Sequence, residues 1–239
     1  MGNALFHSAA ADRVASAGTH AMRIATWNCA RGPFAAKRAA LDALRPDIVV
    51  LSEASQPDSD QTDVLWFGDG RFGVAIYARP PFTVRELPTS RAVPCVYPVG
   101  ITGPTSFTLF GVWTWPAPSY KKAFLNGFEA HAALTGPSVV AGDFNGNVDF
   151  DKPRARVKWS HCFDQLSARG LVSAYHLNRA LGKEPDPTHY FQWNQQRPFH
   201  LDYCFVPREW SVDSVSVGSY ADWATLSDHR PVSVDVRAM

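Results

Sequence analysis

Two polar residues follow a short apolar segment in the sequence VVAGDFN. Asp143 and Asn145 are two residues apart, so they project from the same face of an extended backbone. A carboxylate and an amide in this arrangement can together orient a water molecule and a phosphate oxygen. The alternative is that the two residues only form an Asx-type turn. The apolar residues before them favour the end of a buried strand, where α/β proteins commonly build their sites.

Asp202 lies inside an apolar segment, FHLDYCFV. An ionised carboxylate in such a segment needs a partner, because burial without one is costly or shifts its pKa. The segment SDHRPV offers that partner in Asp228-His229, and an Asp that orients an imidazole is a recurring catalytic arrangement. Taken alone, SDHRPV can also be a turn that Ser227 or Asp228 caps before the last strand.

Asn28 and Glu53 follow two further apolar segments, RIATW and IVVLS. Each has an ordinary explanation when taken alone, Asn28 as a turn former and Glu53 as a solvated strand end. Trp113 and Trp115 share one face of a predicted strand, so either could form a wall of a pocket.

Most histidines in the sequence lack the spacing of metal ligands, and we interpret them as structural. These are His131, His161, His176 and His189. His200 is the exception, because it precedes Asp202 by two residues on the same predicted strand face. We keep it as a candidate phosphate contact.

These residues are separated by a pattern of strand, helix, strand and then mostly strands. Helices are predicted at 34–44, 121–134 and 160–169. Strands are predicted at 23–29, 48–51, 72–77, 82–87, 107–114, 138–141, 188–193, 201–206, 211–218 and 231–236. Few helices among many buried strands predict an α/β sandwich, in which two packed sheets are flanked by helices. No linker or internal repeat divides the chain.

Composition limits the possible classes of protein. The chain has 239 residues, of which 46% are hydrophobic, and this is enough to bury a large core. Its formal net charge is only +1, so a basic patch for nucleic acid would have to be local. We expect a leader at residues 1–21 that is loosely ordered and dispensable, and a single catalytic domain at 22–239.

The four cysteines are far apart and form no C-x-x-C pair, which argues against a zinc ribbon or a disulfide scaffold. We expect reduced, mostly buried thiols in a cytoplasmic protein. No apolar run is long enough to span a membrane, residues 1–21 lack a signal-peptide core, and nothing implies an obligate protein partner.

The segments TWN, LSE, GDFN, HLDY and SDHRPV, in this order, resemble the motif series of the exonuclease–endonuclease–phosphatase superfamily. The resemblance extends from about Met22 to Val236. It implies a four-layered α/β/β/α sandwich with Mg²⁺ or Mn²⁺ at one end of the sheets. The superfamily includes deoxyribonuclease, abasic-site endonucleases, sphingomyelinases and inositol polyphosphate phosphatases.

The resemblance also assigns roles to residues. Glu53 and Asn28 would hold the metal, and Asp228 could complete its site. Asp143 would orient or deprotonate the attacking water, and Asn145 would bond a phosphate oxygen. His229, paired with Asp202, would stabilise the transition state or act as the base. The chain departs from the abasic-site endonucleases, whose first strand ends in NxD, because Ala30 stands where the carboxylate would be.

The substrate most consistent with these features is a phosphodiester in nucleic acid. Lys152, Arg154, Arg156 and Lys158 follow GDFN on a predicted loop, and Arg31 and Arg197 leave the same edge. Such a group can create a local field for polyphosphate, although Asp149 and Asp151 offset part of it. The alternatives are a lipid or small-molecule phosphoesterase, of the sphingomyelinase or inositol phosphate kind, and an inactive phosphate-binding module on the same fold.

Overall fold

The computed structural model describes residues 20–239, with side chains from residue 21 onward. The predicted leader therefore lies outside the described residues, except for His20 and Ala21. Both belong to the first strand, which begins at His20 and not at the predicted Arg23.

Strands account for most of the regular structure. They are β1 (His20–Asn28), β2 (Ile48–Ser55), β3 (Val64–Gly68), β4 (Phe72–Ala78), β5 (Thr83–Glu86), β6 (Val96–Thr102), β7 (Phe107–Trp113), β8 (Ser138–Asp143), β9 (Leu171–Ser173), β10 (His189–Tyr190), β11 (Pro198–Phe199), β12 (Asp202–Pro207), β13 (Ser211–Val217) and β14 (Val232–Ala238). The α-helices are α1 (Phe34–Asp42), α2 (Tyr120–Glu129), α3 (Trp159–Ala168) and α4 (Tyr220–Trp223).

The strands form two mixed sheets of six strands each. The first has the order β13-β14-β1-β2-β4-β3, and the second has the order β5-β6-β7-β8-β12-β9. In the first sheet β1 pairs in parallel with β2 and antiparallel with β14. In the second sheet β8 pairs in parallel with β7 and antiparallel with β12. A separate two-stranded hairpin joins β10 and β11.

Alternation along the strands divides the core into three layers. Ile24 on β1 and Val139 on β8 point between the two sheets, into one shared cluster. The neighbouring Ala25 faces α1, whose Leu41 packs in a second cluster with Trp223 of α4. On the far side of the second sheet, residues of α2 and α3 such as Phe124 and Phe163 pack in a third cluster with Val140 of β8 and Phe205 of β12. The predicted α/β sandwich is confirmed.

Several predicted boundaries differ from the structure. The segment at 188–193 was predicted as a strand, but only His189 and Tyr190 are extended. The chain then turns over Phe191–Trp193, because Gln192 and Trp193 have positive φ angles of 55° and 57°, which end the extended conformation. Strands β3, β6, β9 and β11 and helix α4 were not predicted. Helix α2 ends at Glu129, five residues before the predicted Leu134.

All four cysteines are buried and free of disulfide bonds. Within residues 20–239, no helix is long and apolar enough to cross a membrane.

Candidate active site

Polar residues from both sheets meet at one end of the sandwich, around a cavity of about 600 Å³. Glu53, Asn145, His189, Asp228 and His229 are among the residues that line it. This is the end of the sandwich at which β1 and β8 finish, at Asn28 and Asp143, and at which β12 begins, at Asp202.

Glu53 lies on a β-bulge in β2. The pairing of β2 with β4 shifts register between Leu51 and Ala54, and Glu53 itself has a φ of 52°. A bulge inserts an extra residue that leaves the ladder and redirects its side chain. Here it brings the carboxylate of Glu53 to the cavity and next to Asn28.

Asn28 connects the two sheets. Its Nδ2 donates hydrogen bonds to Glu53 Oε1 at 3.2 Å, within the first sheet, and to Asp143 Oδ2 at 2.8 Å, across to the second sheet. Its Oδ1 accepts a bond from the backbone N–H of Ala30 at 3.0 Å. The Asn28 side chain is thereby fixed by three contacts, one of which spans the interface between the sheets.

Asp143 ends β8 directly after Gly142, where a larger residue could not fit. A Cβ at Gly142 would lie 1.9 Å from the carbonyl oxygen of Val112 on β7, and the φ of Gly142 is 149°. The two strands approach closely at this point because the residue before the carboxylate has no side chain. This local constraint is the physical reason for glycine in GDFN.

The carboxylate of Asp143 accepts three hydrogen bonds. Besides the bond from Asn28, the backbone N–H of Asn145 donates to Oδ1 at 2.7 Å, and Asn145 Nδ2 donates to Oδ2 at 2.9 Å. The second amide proton of Asn145 is donated to the carbonyl oxygen of Thr114 at 3.0 Å. Asn145 has a φ of 49°, a left-handed conformation that asparagine tolerates better than most residues. A phosphate contact by its amide would replace one of these bonds.

Asp143 has no exposed surface, and its cross-strand partner on β12 is Asp202, a residue of the same charge sign. Burial and the charge of Asp202 raise the pKa of Asp143 to about 7, against the opposing effects of His229 and the hydrogen bonds from Asn28 and Asn145. A carboxyl group with a pKa near neutrality can both accept and release a proton under physiological conditions.

Asp202 and His229 form a buried pair. His229 Nδ1 lies 2.8 Å from Asp202 Oδ2, and both side chains are at least 95% buried. His229 is thus the partner that the apolar segment around Asp202 predicts. Within the described part of the chain, the other oxygen of Asp202 has no hydrogen-bond donor. Burial, the largest influence, would lower the pKa of His229, but the carboxylates of Asp202 and Asp143 outweigh it and raise the pKa to about 9.

The segment SDH is attached to the end of β1 by Ser227. The Ser227 hydroxyl donates to the carbonyl oxygen of Asn28 at 2.7 Å and accepts from the backbone N–H of His229 at 2.9 Å. Ser227 therefore sets the position of Asp228 and His229 relative to Asn28.

His189 also belongs to this site, although the sequence analysis interpreted it as structural. It forms an isolated backbone bridge with His229, and the two ring centroids are 4.3 Å apart. Its Nε2 lies 3.5 Å from Asp228 Oδ2. Burial would raise the pKa of Asp228, but the hydrogen bond from His189 and the charge of His229 lower it. The bridge joins segments 40 residues apart, so no local pattern indicates it.

Two groups of side chains could hold a metal ion among the described residues. In each, potential ligand atoms lie within 4.8 Å of one another. One consists of His189, Asp228 and His229, and the other of Asp143, Asp202 and His229. Glu53 faces the same cavity as Asp228, so hard oxygen donors are available on both sides of it.

The other predicted substrate contacts lie outside this cavity. Trp115 lines a separate neighbouring cavity. His200 is buried, and its Nδ1 donates a hydrogen bond to the carbonyl oxygen of Asp186 at 2.8 Å. Its side chain borders a separate small cavity. Arg154 and Arg156 are exposed and Lys158 is half-buried, on the segment that leads into α3. Arg31 and Arg197, by contrast, do line the site.

Several solved structures share this fold at low sequence identity. The endonuclease domain of TRAS1, a telomere-specific non-LTR retrotransposon, is 19% identical with a TM-score of 0.67, covering 91% of this chain and 98% of that one. NExo, a 3′ phosphatase from Neisseria solved with a product DNA hairpin, is 19% identical with a TM-score of 0.60, covering 89% and 98%. Truncated TDP2 from Caenorhabditis elegans is 15% identical with a TM-score of 0.62, covering 91% and 98%.

At these identities the likeness shows the shared fold. No curated protein matches the sequence. The sequence model of the endonuclease/exonuclease/phosphatase family, however, matches residues 25–229, a span that includes every residue of the site from Asn28 to His229. The chain therefore belongs to the endonuclease/exonuclease/phosphatase family, whose members are hydrolases of phosphoester bonds.

Proposed function

We propose that this protein is a divalent-metal-dependent phosphodiesterase that cleaves nucleic acid by in-line attack of water. The observation that carries the proposal is the buried contact of 2.8 Å between Asp202 and His229, next to the carboxylate of Asp143. Burying three ionisable groups together is costly to a fold, and perturbed groups of this kind cluster at functional sites.

Each side chain of the site has a separate role in the proposed reaction. Asp143 orients the attacking water and takes its proton, a role that suits a carboxylate already held by Asn28 and Asn145. His229 is kept positively charged by Asp202 and stabilises negative charge on the phosphate in the transition state. Asn145 binds a phosphate oxygen after releasing one of its present hydrogen bonds.

Glu53, Asn28 and Asp228 are the residues that would hold a divalent cation. The fit rests on donor chemistry, because both carboxylates face one cavity and the amide oxygen of Asn28 keeps a free lone pair beside its bond to Ala30. Such oxygen donors suit Mg²⁺ or Mn²⁺. A bound cation of this kind neutralises charge on the phosphate.

Nucleic acid is favoured as the substrate because Arg31 and Arg197 line the cavity. The DNA product bound by the Neisseria phosphatase and the endonuclease activity named for TRAS1 agree with this choice. A lipid or inositol phosphate phosphoesterase is the alternative within the same chemistry.

The test is a substrate panel assayed with Mg²⁺, with Mn²⁺ and with EDTA. It should contain single-stranded and duplex DNA, RNA, a chromogenic phosphodiester, an inositol polyphosphate and sphingomyelin vesicles, each also incubated with Asp143→Asn protein as the blank. We expect metal-dependent cleavage of nucleic acid and of the chromogenic ester. Cleavage of only the inositol phosphate or the lipid would replace the proposed substrate, and no cleavage of any compound would refute the proposed activity.

A further inference from the structure

A second cavity, of about 770 Å³, adjoins the active-site cavity, and the side chain of Arg31 lines both. Its walls come from the β3–β4 hairpin, the segment before β6 and the segment after β7. Arginine and aromatic side chains dominate its lining. We call it the aromatic–arginine groove and define it by Arg31, Arg71, Phe72, Arg91, Trp113 and Trp115.

The aromatic side chains of the groove are only partly covered. Trp113, Trp115 and Phe72 are each half-buried, so part of each ring faces the cavity. Trp113 and Trp115 meet edge to face, with ring centroids 5.5 Å apart, and this contact fixes the orientation of both rings. Partly exposed rings held in a fixed orientation can stack with a planar ligand at a small entropic cost.

The charge of the groove is positive. Three arginines and one carboxylate, Asp69, line it. Arg31 pairs with Glu53 and Arg91 pairs with Glu86, whereas in the described part of the chain no carboxylate forms an ion pair with Arg71. The guanidiniums of Arg31 and Arg71 both lie over the ring of Phe72, at 4.9 and 5.5 Å from its centroid. The groove thus presents flat apolar faces and cationic donors side by side.

We propose that the aromatic–arginine groove is the subsite for an unpaired nucleotide adjacent to the scissile phosphate. This inference rests on the proposed function and specifies its substrate as single-stranded nucleic acid, or an unpaired end. The base would stack on the partly exposed rings, and Arg71 would contact the neighbouring phosphate. Both kinds of contact are typical of proteins that bind single strands without sequence preference.

Two features select this occupant. The groove continues the active-site cavity through Arg31, so a strand whose phosphate lies at His229 can reach it. A base inside a duplex has both faces covered by its neighbours and cannot stack on a tryptophan without being unstacked first. A sphingomyelin headgroup carries a single phosphate, so a lipid whose phosphate lies at His229 has no second phosphate for Arg71.

The experiment measures binding by Asp143→Asn protein, which is expected to be inactive, so that the ligand stays intact. The probes are a labelled oligodeoxythymidylate and a blunt hairpin duplex of the same number of nucleotides. We expect tighter binding of the single strand. Adding Trp115→Ala should weaken single-strand binding about 5- to 150-fold, the usual range for losing one stacked base. Trp115→Phe, which keeps an aromatic face, should recover part of that loss.

Arg71→Ala tests the phosphate contact separately. Arg71 is exposed at the tip of the β3–β4 hairpin, so we expect its replacement to leave the fold intact. The substitution should lower the slope of log K against log[salt] by about 0.7. Arg208→Ala is the matched control, because Arg208 is exposed and follows β12 at the end opposite the active site. It should change neither affinity nor slope.

Equal affinity for the single strand and the hairpin would overturn the inference. So would wild-type affinity in both Trp115→Ala and Arg71→Ala. A loss of binding to sphingomyelin vesicles in Trp115→Ala, with oligonucleotide binding unchanged, would assign the groove to lipid instead. Cleavage of the chromogenic phosphodiester by the wild-type protein tests the proposed activity independently of all these results.

Discussion

Asp143 and Asp202 face each other as a cross-strand pair on β8 and β12, with both carboxylates fully buried. Like charges directly opposite each other on a sheet are destabilising. His229 offsets this repulsion, because both carboxylates raise the pKa of its ring and so favour its positively charged form. The ring also contacts Asp202 directly. The carboxylate pair therefore destabilises the folded state, and it lies where the proposed reaction takes place.

Replacement of the central ionisable groups should abolish most activity. We expect Asp143→Asn and His229→Ala each to lower kcat by about 10²–10⁴-fold, because each removes a proton acceptor or a charge used in the transition state. Asp202→Asn should have a similar effect, since His229 loses the partner that keeps it charged. The assay is steady-state kinetics on the chromogenic phosphodiester. Asp164→Asn, on the exposed face of α3, should leave kcat unchanged. Near wild-type turnover in Asp143→Asn or His229→Ala would show that the chemistry lies elsewhere.

Metal binding should depend on Glu53. Calorimetric titration with Mn²⁺ should show affinity reduced about tenfold or more in Glu53→Gln, because a neutral amide is a poorer ligand than a carboxylate. Loss of a residue that only hydrogen-bonds to a metal ligand already lowers metal affinity by about this factor. Glu129→Gln, at the exposed end of α2, is the control. In the same preparation, exhaustive EDTA treatment should remove activity and added Mg²⁺ or Mn²⁺ should restore it. Activity that survives EDTA would contradict the proposed cation requirement.

Acid stability should depend on Glu184, which lies outside the active site. Its carboxylate accepts hydrogen bonds from His176 Nε2 and the backbone N–H of Gly182, both at 2.9 Å. Burial opposes ionisation, but these bonds prevail and lower its pKa to about 2. A depressed carboxyl pKa stabilises the folded state above the ordinary pKa, and this contribution is lost as pH falls toward the folded value.

We therefore expect Glu184→Gln to lower the free energy of unfolding by roughly 1–3 kcal/mol at pH 7. The difference in the free energy of unfolding between the two proteins should stay constant down to about pH 5 and disappear progressively between about pH 4.5 and 2. Denaturant unfolding of both proteins across this range measures it. A difference that is independent of pH would mean that Glu184 contributes to stability through packing alone.

Ser227 should act as a positioning residue with a measurable effect on stability. Ser227→Ala leaves the carbonyl oxygen of Asn28 and the N–H of His229 without their shared partner, at a cost of about 1–3 kcal/mol. Chemical denaturation provides the measurement, and Ser216→Ala, exposed on β13, should stay within about 0.5 kcal/mol of wild type. A Ser227→Ala protein as stable as the wild type would show that water replaces the hydroxyl.

The sequence was informative where local pattern determines structure. Asn28 and Asp143 were located because each ends an apolar segment, and Asp202 because it lies inside one. Alternation and burial of this kind are properties of a single strand. Glu53 was located as well, but not the bulge that redirects it, since a bulge depends on how β2 pairs with β4. His189 was missed for a related reason, because its contact with His229 arises from a bridge between distant segments.

Spacing along a strand was least reliable for substrate contacts. His200 precedes Asp202 by two residues, yet β12 begins only at Asp202, so the expected alternation does not apply to His200. There the chain leaves the sheet between the two residues, and side-chain direction then depends on loop geometry. Trp113 and Trp115, by contrast, do line one cavity together as their spacing predicts, but that cavity is the groove beside the active site.

The pairing of β1 with β14 has a consequence for how the protein is made. Residues 20–26 of the first strand take their antiparallel partners from residues 232–238. During synthesis the centre of the first sheet therefore stays open along one edge until residues 232–238 have been translated. Since His229 lies just before β14, we expect a chain whose synthesis has not reached residue 229 to be inactive, and to expose a strand edge that invites aggregation.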